Sequence, residues 1–320
     1  MRCPKCQFDH ELQTTECLKC GIVFARYQAA RDAKEGVPIP GVPQTPLDAK
    51  KAGAAVPAVR GPAVARSEPL TGRYDSRREL LYRALALPLA LLVARWAAGT
   101  GLDMVSGLLA MLVHESGHAV TAWLTGRWAV PMLWVTQWGQ FRSWWIVLAV
   151  TGALVFGGFK AWKARRWGWV CAAGAVLILE LIIQGLPAFT QGSLIVFGGD
   201  GGALVLATIL MTTFYAPRES FLYKSWGVRW GLLVIGALSF MHVYRLWSGP
   251  YENIPFGEIE GVNLSDPTRL TDEYGWTVLQ MVDRYLLLAK VCLAALLVVY
   301  VWGLVSAYLK MRSPEPEETA

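Results

Sequence analysis

The sequence HESGH at residues 114–118 carries the chemistry most easily recognised in this chain, because it lies within the apolar stretch 108–124. Residues four apart share one face of a helix, so His114 and His118 can present two imidazole nitrogens to one metal ion. Glu115 is about a quarter-turn round the helix, close enough to act on water at the metal without being a ligand. This is the HExxH arrangement of zinc hydrolases. Ionisable side chains are costly in an apolar helix and are normally retained for function.

The helix that carries this motif is one of several apolar segments. With 320 residues, 54% hydrophobic content and a mean hydropathy of +0.36, the chain is too apolar for an ordinary soluble domain. Segments of roughly membrane-spanning length recur at 80–99, 102–125, 144–161, 168–187, 192–215, 228–247 and 285–309. We therefore predict a mainly α fold, a polytopic membrane domain of about six or seven helices over residues 79–320.

Two parts of this domain depart from the simple pattern. Segment 80–99 contains Arg83, Pro88 and Arg95, so it is the weakest spanning candidate and could lie in the membrane interface. The apolar piece 129–141 is too short to span as a helix, and a re-entrant or strand-like hairpin fits it better.

The distribution of charge predicts which loops are cytosolic, and it favours lipid over nucleic acid as a partner. The net charge of +6 is concentrated beside the apolar segments, which favours attraction to anionic lipid over binding of nucleic acid. By the positive-inside rule, the basic residues of the 160–166 and 218–229 regions should be cytosolic, and the acidic stretch 248–284 external.

The N-terminal residues 1–27 form a separate candidate metal site. Two CxxC pairs separated by ten residues are typical of a tetrahedral zinc ribbon, and their ligands would be Cys3, Cys6, Cys17 and Cys20. A pair of disulfides is the alternative, and it requires an oxidising compartment. The ribbon could be structural, regulatory or a binding site for a cytosolic protein. Residues 28–78, rich in proline and alanine, are predicted to be a flexible linker.

A zinc hydrolase needs a third protein ligand in addition to the two histidines. The candidates are Asp200, His242, Glu180 and Glu219. Asp200 is favoured because it lies in a glycine-rich sequence, residues 198–202, which we interpret as a break in an apolar run where a lone carboxylate needs a cation. A helix kink with Asp200 paired to an arginine or facing water is the structural alternative. His242 is expected at a membrane edge, and Glu180 in a local bond between helices.

These motifs resemble the site-2 protease family of intramembrane zinc metalloproteases over residues 102–215. The resemblance lies in HESGH followed by Asp200-Gly201, in Gln184-Gly185-Leu186-Pro187 where the family often has Asn-x-x-Pro, and in the hairpin at 129–141. In that family the HExxH and an Asp-Gly aspartate come from different transmembrane helices. The resemblance implies zinc held by His114, His118 and Asp200.

The function implied by this resemblance is hydrolysis of a peptide bond in or near a transmembrane helix of another protein. Glu115 would be the general base, and Gln184 a donor to the substrate backbone or oxyanion. The expected location is a bacterial cytoplasmic membrane, with a second, structural zinc in a cytosolic ribbon. Two alternatives stay open: a non-proteolytic metal-binding scaffold, and a solute transporter with a polar pathway through Glu115, His118 and Asp200. The general base argues against the scaffold, and the lack of paired half-helix repeats argues against the transporter.

Overall fold

The computed structural model describes Asp9 and residues 70–100, 103–217, 220–259 and 263–312. The chain divides into two compact units, Met1–Ser67 and Glu68–Ala320. The predicted zinc ribbon, with its four cysteines, and the predicted linker up to residue 69 lie outside the described residues, apart from Asp9. The fold described below is that of the second unit.

Helices make up most of the second unit. They are α1 (Leu70–Ala97), α2 (Asp103–Leu124), α3 (Trp144–Lys163), α4 (Trp167–Gln184), α5 (Ala188–Thr212), α6 (Phe221–Lys224), α7 (Trp226–Ser248), α8 (Asp266–Asp272) and α9 (Val278–Arg312). Short 3-10 turns lie at Thr213–Tyr215 and Tyr251–Asn253. Two small antiparallel sheets pair β1 (Ala129–Pro131) with β2 (Thr136–Trp138) and β3 (Glu258–Ile259) with β4 (Asn263–Leu264).

Six helices of the described region are long and apolar enough to cross a membrane. They are Arg77–Ala97, Trp144–Lys163, Trp167–Gln184, Ala188–Tyr215, Trp226–Ser248 and Val278–Arg312. Their number and length fit a multi-pass helical membrane protein, as the sequence predicts. The seventh predicted segment is helical too, as α2, but it does not belong to this set and carries the HESGH residues.

The first helix differs from the expectation in two ways. It begins at Leu70, inside the stretch predicted as linker, and its apolar part is long enough to span. Arg83, which made it the weakest candidate, is buried, and its Nε lies 2.7 Å from Oε1 of Glu79. The charge that weakened the apolar pattern is therefore neutralised one helical turn away.

Glycines let α2 and α5 approach each other closely. A Cβ on Gly117 would collide with the carbonyl of Gly198, and a Cβ on Gly202 would lie 2.5 Å from the Cα of Gly117. The sequence prediction of close approach at residues 198–202 is confirmed, but the predicted break is wrong, since α5 runs without interruption from Ala188 to Thr212. These glycines serve helix packing, and Asp200 belongs to a regular helix.

The piece at 129–141 contains a strand-like hairpin, one of the two forms predicted. β1 pairs with β2 in antiparallel register, with Ala129 opposite Trp138 and Pro131 opposite Thr136. The Thr136 hydroxyl donates a hydrogen bond of 2.7 Å to the backbone carbonyl of Glu115, so the hairpin is anchored on α2 within the HESGH residues.

Candidate metal centre

The two histidines of α2 are held so that the same nitrogen of each ring faces one point. Nδ1 of His118 lies 2.7 Å from the carbonyl oxygen of Ile195, and Nδ1 of His114 lies 2.8 Å from Oδ1 of Asp200. A carbonyl or a carboxylate can only accept, so Nδ1 is the donor in both rings. The two Nε2 atoms, 3.1 Å apart, are left with their lone pairs for a common partner.

Asp266 brings a carboxylate to the same point from a distant part of the chain. Its Oδ2 lies 3.1 Å from Nε2 of His114 and 2.9 Å from Nε2 of His118. Three acceptor atoms converge at this spacing only with positive charge between them, as protons or as a metal ion. Ligand atoms about 2.0–2.2 Å from a tetrahedral zinc would be roughly 3.3 Å apart, so a small outward shift of these side chains accommodates the ion.

The electrostatics of Asp266 suit a metal ligand. Burial raises the pKa of its carboxyl, but the positive charges and hydrogen bonds of His118 and His114, when protonated, outweigh burial and hold that pKa well below its usual range. This balance favours the ionised carboxylate, which is the form that coordination requires. A metal ion in place of the protons would have the same effect on the carboxylate.

Local structure explains how Asp266 reaches the site. It is the first residue of α8, whose N-cap Ser265 accepts a hydrogen bond from the backbone N–H of Thr268. Pro267 follows, a residue favoured in the first turn of a helix. Leu270 is fully buried, so the short helix is anchored by packing and presents its first carboxylate to α2.

The structure places Asp200 next to His114 but not where the sequence prediction put it. Its Oδ1 binds Nδ1 of His114, the ring nitrogen that points away from the shared Nε2 position, and its Oδ2 accepts a 2.8 Å hydrogen bond from Nε1 of Trp247. The carboxylate that lies at the point shared by the two Nε2 atoms is therefore that of Asp266, whereas the predicted ligand set was His114, His118 and Asp200. Asp200 has the position of a carboxylate that orients a histidine through its other ring nitrogen.

Gly199 leaves the space that the two imidazoles occupy. A Cβ at this position would lie 2.5 Å from Cε1 of His114 and 2.6 Å from Nε2 of both His114 and His118. Any larger residue would push the rings apart. The glycine before Asp200 is thus part of the site as well as of the helix packing.

A cavity of about 850 Å³ opens onto these side chains. Its wall includes Glu115, which is only 5% exposed, and whose Oε2 has no hydrogen-bond partner among the residues that the structure describes. Trp138 of the hairpin stacks on His118, with ring centroids 5.5 Å apart. Glu115 is therefore a buried carboxylate with one uncommitted oxygen, in the wall of the partly aromatic cavity that His114, His118 and Asp266 also line.

Gln184, predicted as a donor to the substrate, does not line this cavity. Its Nε2 donates a 3.0 Å hydrogen bond to the backbone carbonyl of Leu124. Leu124 ends α2 nine residues after Glu115, which is about 14 Å along a helix. The turn between α4 and α5 meets the far end of α2, so Gln184 lies away from the cavity. The amide there joins two helices.

The other candidates for the third ligand in the sequence analysis were Glu180, His242 and Glu219. Glu180 accepts a hydrogen bond of 2.9 Å from the hydroxyl of Thr151, which is the local bond between helices that the sequence predicts. His242 lines the cavity of the candidate metal centre. Glu219 and the four cysteines lie outside the described residues.

Sequence reasoning missed Asp266 and Trp247 as parts of this centre. The Ser265-Asp266-Pro267 sequence is typical of the start of a helix, but nothing local in it indicates contact with α2. Trp247 is 2% exposed, and its Nε1 donates a hydrogen bond to Asp200. Compared with known proteins, the chain matches no protein-family model, no curated protein and no solved structure.

Proposed function

We propose that this protein is an intramembrane zinc metalloprotease whose metal ligands are His114, His118 and Asp266. The observation that carries the proposal is the convergence of three ligand atoms, both Nε2 atoms and Oδ2 of Asp266, at mutual distances of 2.9–3.1 Å. The Nδ1 atoms of both rings are fixed by Asp200 and by the carbonyl of Ile195. Two histidines and one carboxylate are a common ligand set of catalytic zinc, with a fourth position open.

Each residue of the site has a separate role in the proposed hydrolysis. Zinc, when bound, supplies a Lewis acid that activates water and polarises the peptide carbonyl. Glu115 takes the proton of the attacking water on its uncommitted carboxylate and later gives it to the leaving amine. Asp200 and the carbonyl of Ile195 keep the imidazoles in the tautomer and orientation that ligation needs. Asp266 neutralises charge at the site.

The surroundings of the site favour a peptide from a membrane protein as the substrate. The cavity lies among apolar helices and is lined by Met111, Trp134, Trp138 and Leu246 in addition to the polar residues. An apolar side chain can be buried there, but an intact helix presents no free amide bond. We infer that the substrate is a transmembrane or juxtamembrane segment that unwinds locally, as the resemblance to site-2 proteases implies.

The rest of the sequence-based proposal concerns residues 1–27. In it, Cys3, Cys6, Cys17 and Cys20 hold a second, structural zinc in a cytosolic ribbon that binds a protein partner. The location remains a bacterial cytoplasmic membrane. The lipid bilayer and the membrane-protein substrate are the partners of the second unit, and no nucleic-acid partner is proposed.

The two alternative functions, a non-proteolytic scaffold and a transporter, would require different properties of the same residues. A non-proteolytic scaffold has no need for the uncommitted Oε2 of Glu115, which is costly to bury. In a transporter the pathway groups exchange partners with the solute, whereas both carboxylate oxygens of Asp200 and Nδ1 of His118 are engaged by the protein itself. The fixed geometry favours catalysis.

The test is Glu115→Gln, which keeps size and burial but removes the proton acceptor. We expect cleavage to fall by about 10²–10⁴-fold with zinc content unchanged. Cleavage would be measured on labelled single-span membrane proteins reconstituted with the purified protein, and zinc by elemental mass spectrometry.

The matched control for this test is Glu180→Gln. Glu180 is another buried glutamate, 1% exposed, but it lies outside the cavity. This variant should keep its activity within a few-fold. If Glu115→Gln cleaves as fast as wild type, the protease proposal fails.

A further inference from the structure

The hairpin formed by α3 and α4 has an apolar trough far along the chain from the metal centre. Among its described residues α3 has none that is buried, and most of them are exposed. A cavity of about 860 Å³ runs along the seam between α3 and α4. It shares no lining residue with the metal-centre cavity.

Small residues form the floor of this trough. On α3 they are Ala153, Gly157 and Ala161, spaced four apart on one face, and Ala172 and Ala173 face them from α4. The lining of α3 extends from residue 153 to residue 164, which is about 16 Å of helix. That is about half the thickness of the hydrocarbon core of a bilayer, so the trough has the length of one leaflet.

The mouth of the trough is basic. Lys160, Lys163 and Arg166 line it near the turn between the two helices. No acidic residue is among the described residues that line it. The Nζ atoms of Lys160 and Lys163 lie 5.0 and 4.7 Å from the ring centroids of Phe156 and Phe159, so aromatic rings hold both cations at this end.

The opposite end is marked by a polar pair. Glu180, one helical turn beyond the lining residue Val176, accepts the 2.9 Å hydrogen bond from Thr151. This bond ties α3 to α4 where the apolar lining ends. The trough therefore has a charged mouth, an apolar floor and a defined inner limit.

We propose that this trough binds an anionic phospholipid, with the phosphate between Lys160, Lys163 and Arg166 and one acyl chain on the floor of small residues. The occupant follows from the charge of the mouth, the leaflet-length floor and the exposure of α3 to lipid. Basic pockets between transmembrane helices are suited to such headgroups. This inference requires the membrane location but not the protease activity.

The first experiment is native mass spectrometry of the full-length protein, purified in detergent with equal amounts of phosphatidylglycerol and phosphatidylcholine. We expect preferential retention of one phosphatidylglycerol. The variant with Lys160→Gln, Lys163→Gln and Arg166→Gln should lose about fivefold in affinity per charge, or roughly 100-fold in all.

The matched control replaces two lysines and one arginine at other exposed helix ends, as Lys224→Gln, Lys310→Gln and Arg312→Gln. It should retain phosphatidylglycerol as wild type does. Equal retention of phosphatidylcholine by wild type, or undiminished phosphatidylglycerol in the first triple variant, would overturn the proposal. A second copy of the chain bound in place of lipid would do the same.

A second pair of variants tests the floor without changing charge. A Cβ at Gly157 meets nothing within 4 Å, so Gly157→Leu can fill the trough without disturbing the fold. Gly174 on α4 is equally unobstructed but does not line the trough, which makes Gly174→Leu the control. We expect loss of phosphatidylglycerol retention in Gly157→Leu alone, and equal retention in both variants would rule out an acyl chain on the floor.

Discussion

Two clusters of buried polar residues in this protein contain similar chemical groups but leave different atoms free. One is the metal centre. The other, which we term the Glu79 cluster, consists of Glu79, Arg83, Tyr223 and Arg229, and it connects α1, α6 and α7. Arg229 is 1% exposed, which is less than His118 at 3% or Glu115 at 5%.

In the Glu79 cluster the charged groups satisfy one another. Oε1 of Glu79 accepts bonds of 2.7 Å from both Arg83 and Arg229, and Oε2 accepts bonds of 3.1 Å from Arg229 and from Tyr223. The Nε of Arg229 donates to the carbonyl of Phe214. Both carboxylate oxygens are engaged, so the cluster offers no acceptor to a metal or a substrate.

In the metal centre, by contrast, the hydrogen bonds engage the outer nitrogens of the two histidines and not the atoms that converge on one point. Asp200 and Ile195 engage the Nδ1 atoms, which leaves both Nε2 atoms and Oδ2 of Asp266 directed at one point, in a cavity that Glu115 also lines. The comparison shows that burial of charge does not by itself mark a functional site. Convergence of acceptors on a cavity is what distinguishes the candidate metal centre from the Glu79 cluster.

The largest expected effect that would sharpen this comparison is loss of zinc from Asp266→Ala. It would be measured by elemental mass spectrometry with the four N-terminal cysteines replaced by serine, so that only the second unit binds metal. The variant removes a ligand, and zinc should fall to background.

The paired variant for that experiment is Asp200→Asn. It removes only the acceptor that orients His114, so zinc should remain but bind about 10–100-fold more weakly. The reverse pattern, zinc retained by Asp266→Ala and lost from Asp200→Asn, would restore Asp200 as the third ligand.

The next effect is displacement of the imidazoles by Gly199→Ala. The added methyl group would lie 2.5–2.6 Å from three ring atoms of the histidines. A displacement of this size should reduce cleavage roughly 10²-fold and weaken zinc binding. Gly227→Ala, where a Cβ meets nothing within 4 Å, is the control and should leave both unchanged. Normal cleavage by Gly199→Ala would show that the rings do not occupy these positions in solution.

Arg229→Met tests the Glu79 cluster. It leaves Glu79 buried with fewer partners and should cost about 3–5 kcal/mol in stability. Thermal unfolding in detergent would show the loss, while the zinc content of the folded protein stays as in wild type. Arg312→Met, at an exposed helix end, should change neither. Loss of zinc from folded Arg229→Met would mean that the two clusters are coupled.

The smallest effect is expected from Trp247→Phe. The ring can still stack on Tyr285, whose centroid is 4.1 Å away, but the bond to Oδ2 of Asp200 is lost. Because this bond acts on the metal only through Asp200 and His114, zinc affinity should fall by about threefold to tenfold. Competition with a chelator measures it, and a loss of zinc as large as that of Asp266→Ala would contradict an indirect role for Trp247.

Local sequence determined the parts of the molecule that depend on periodicity and spacing. Apolar length predicted about six or seven helices, and the short piece at 129–141 predicted a strand-like hairpin as one of two forms. The four-residue spacing of His114 and His118 was enough to place both rings on one face of α2. The glycines around Asp200 predicted close packing of α5 because their lack of side chains acts through nearest neighbours.

Tertiary structure decided which residues complete the centre. Asp200 lies on an unbroken helix, so its carboxylate reaches the outer nitrogen of His114, and no local pattern distinguishes that contact from ligation. Asp266 reaches the two Nε2 atoms because buried Leu270 anchors α8. Gln184 is held at the far end of α2. These outcomes depend on packing between segments far apart in the chain, whereas spacing in the sequence fixes only what one helix or one turn can present.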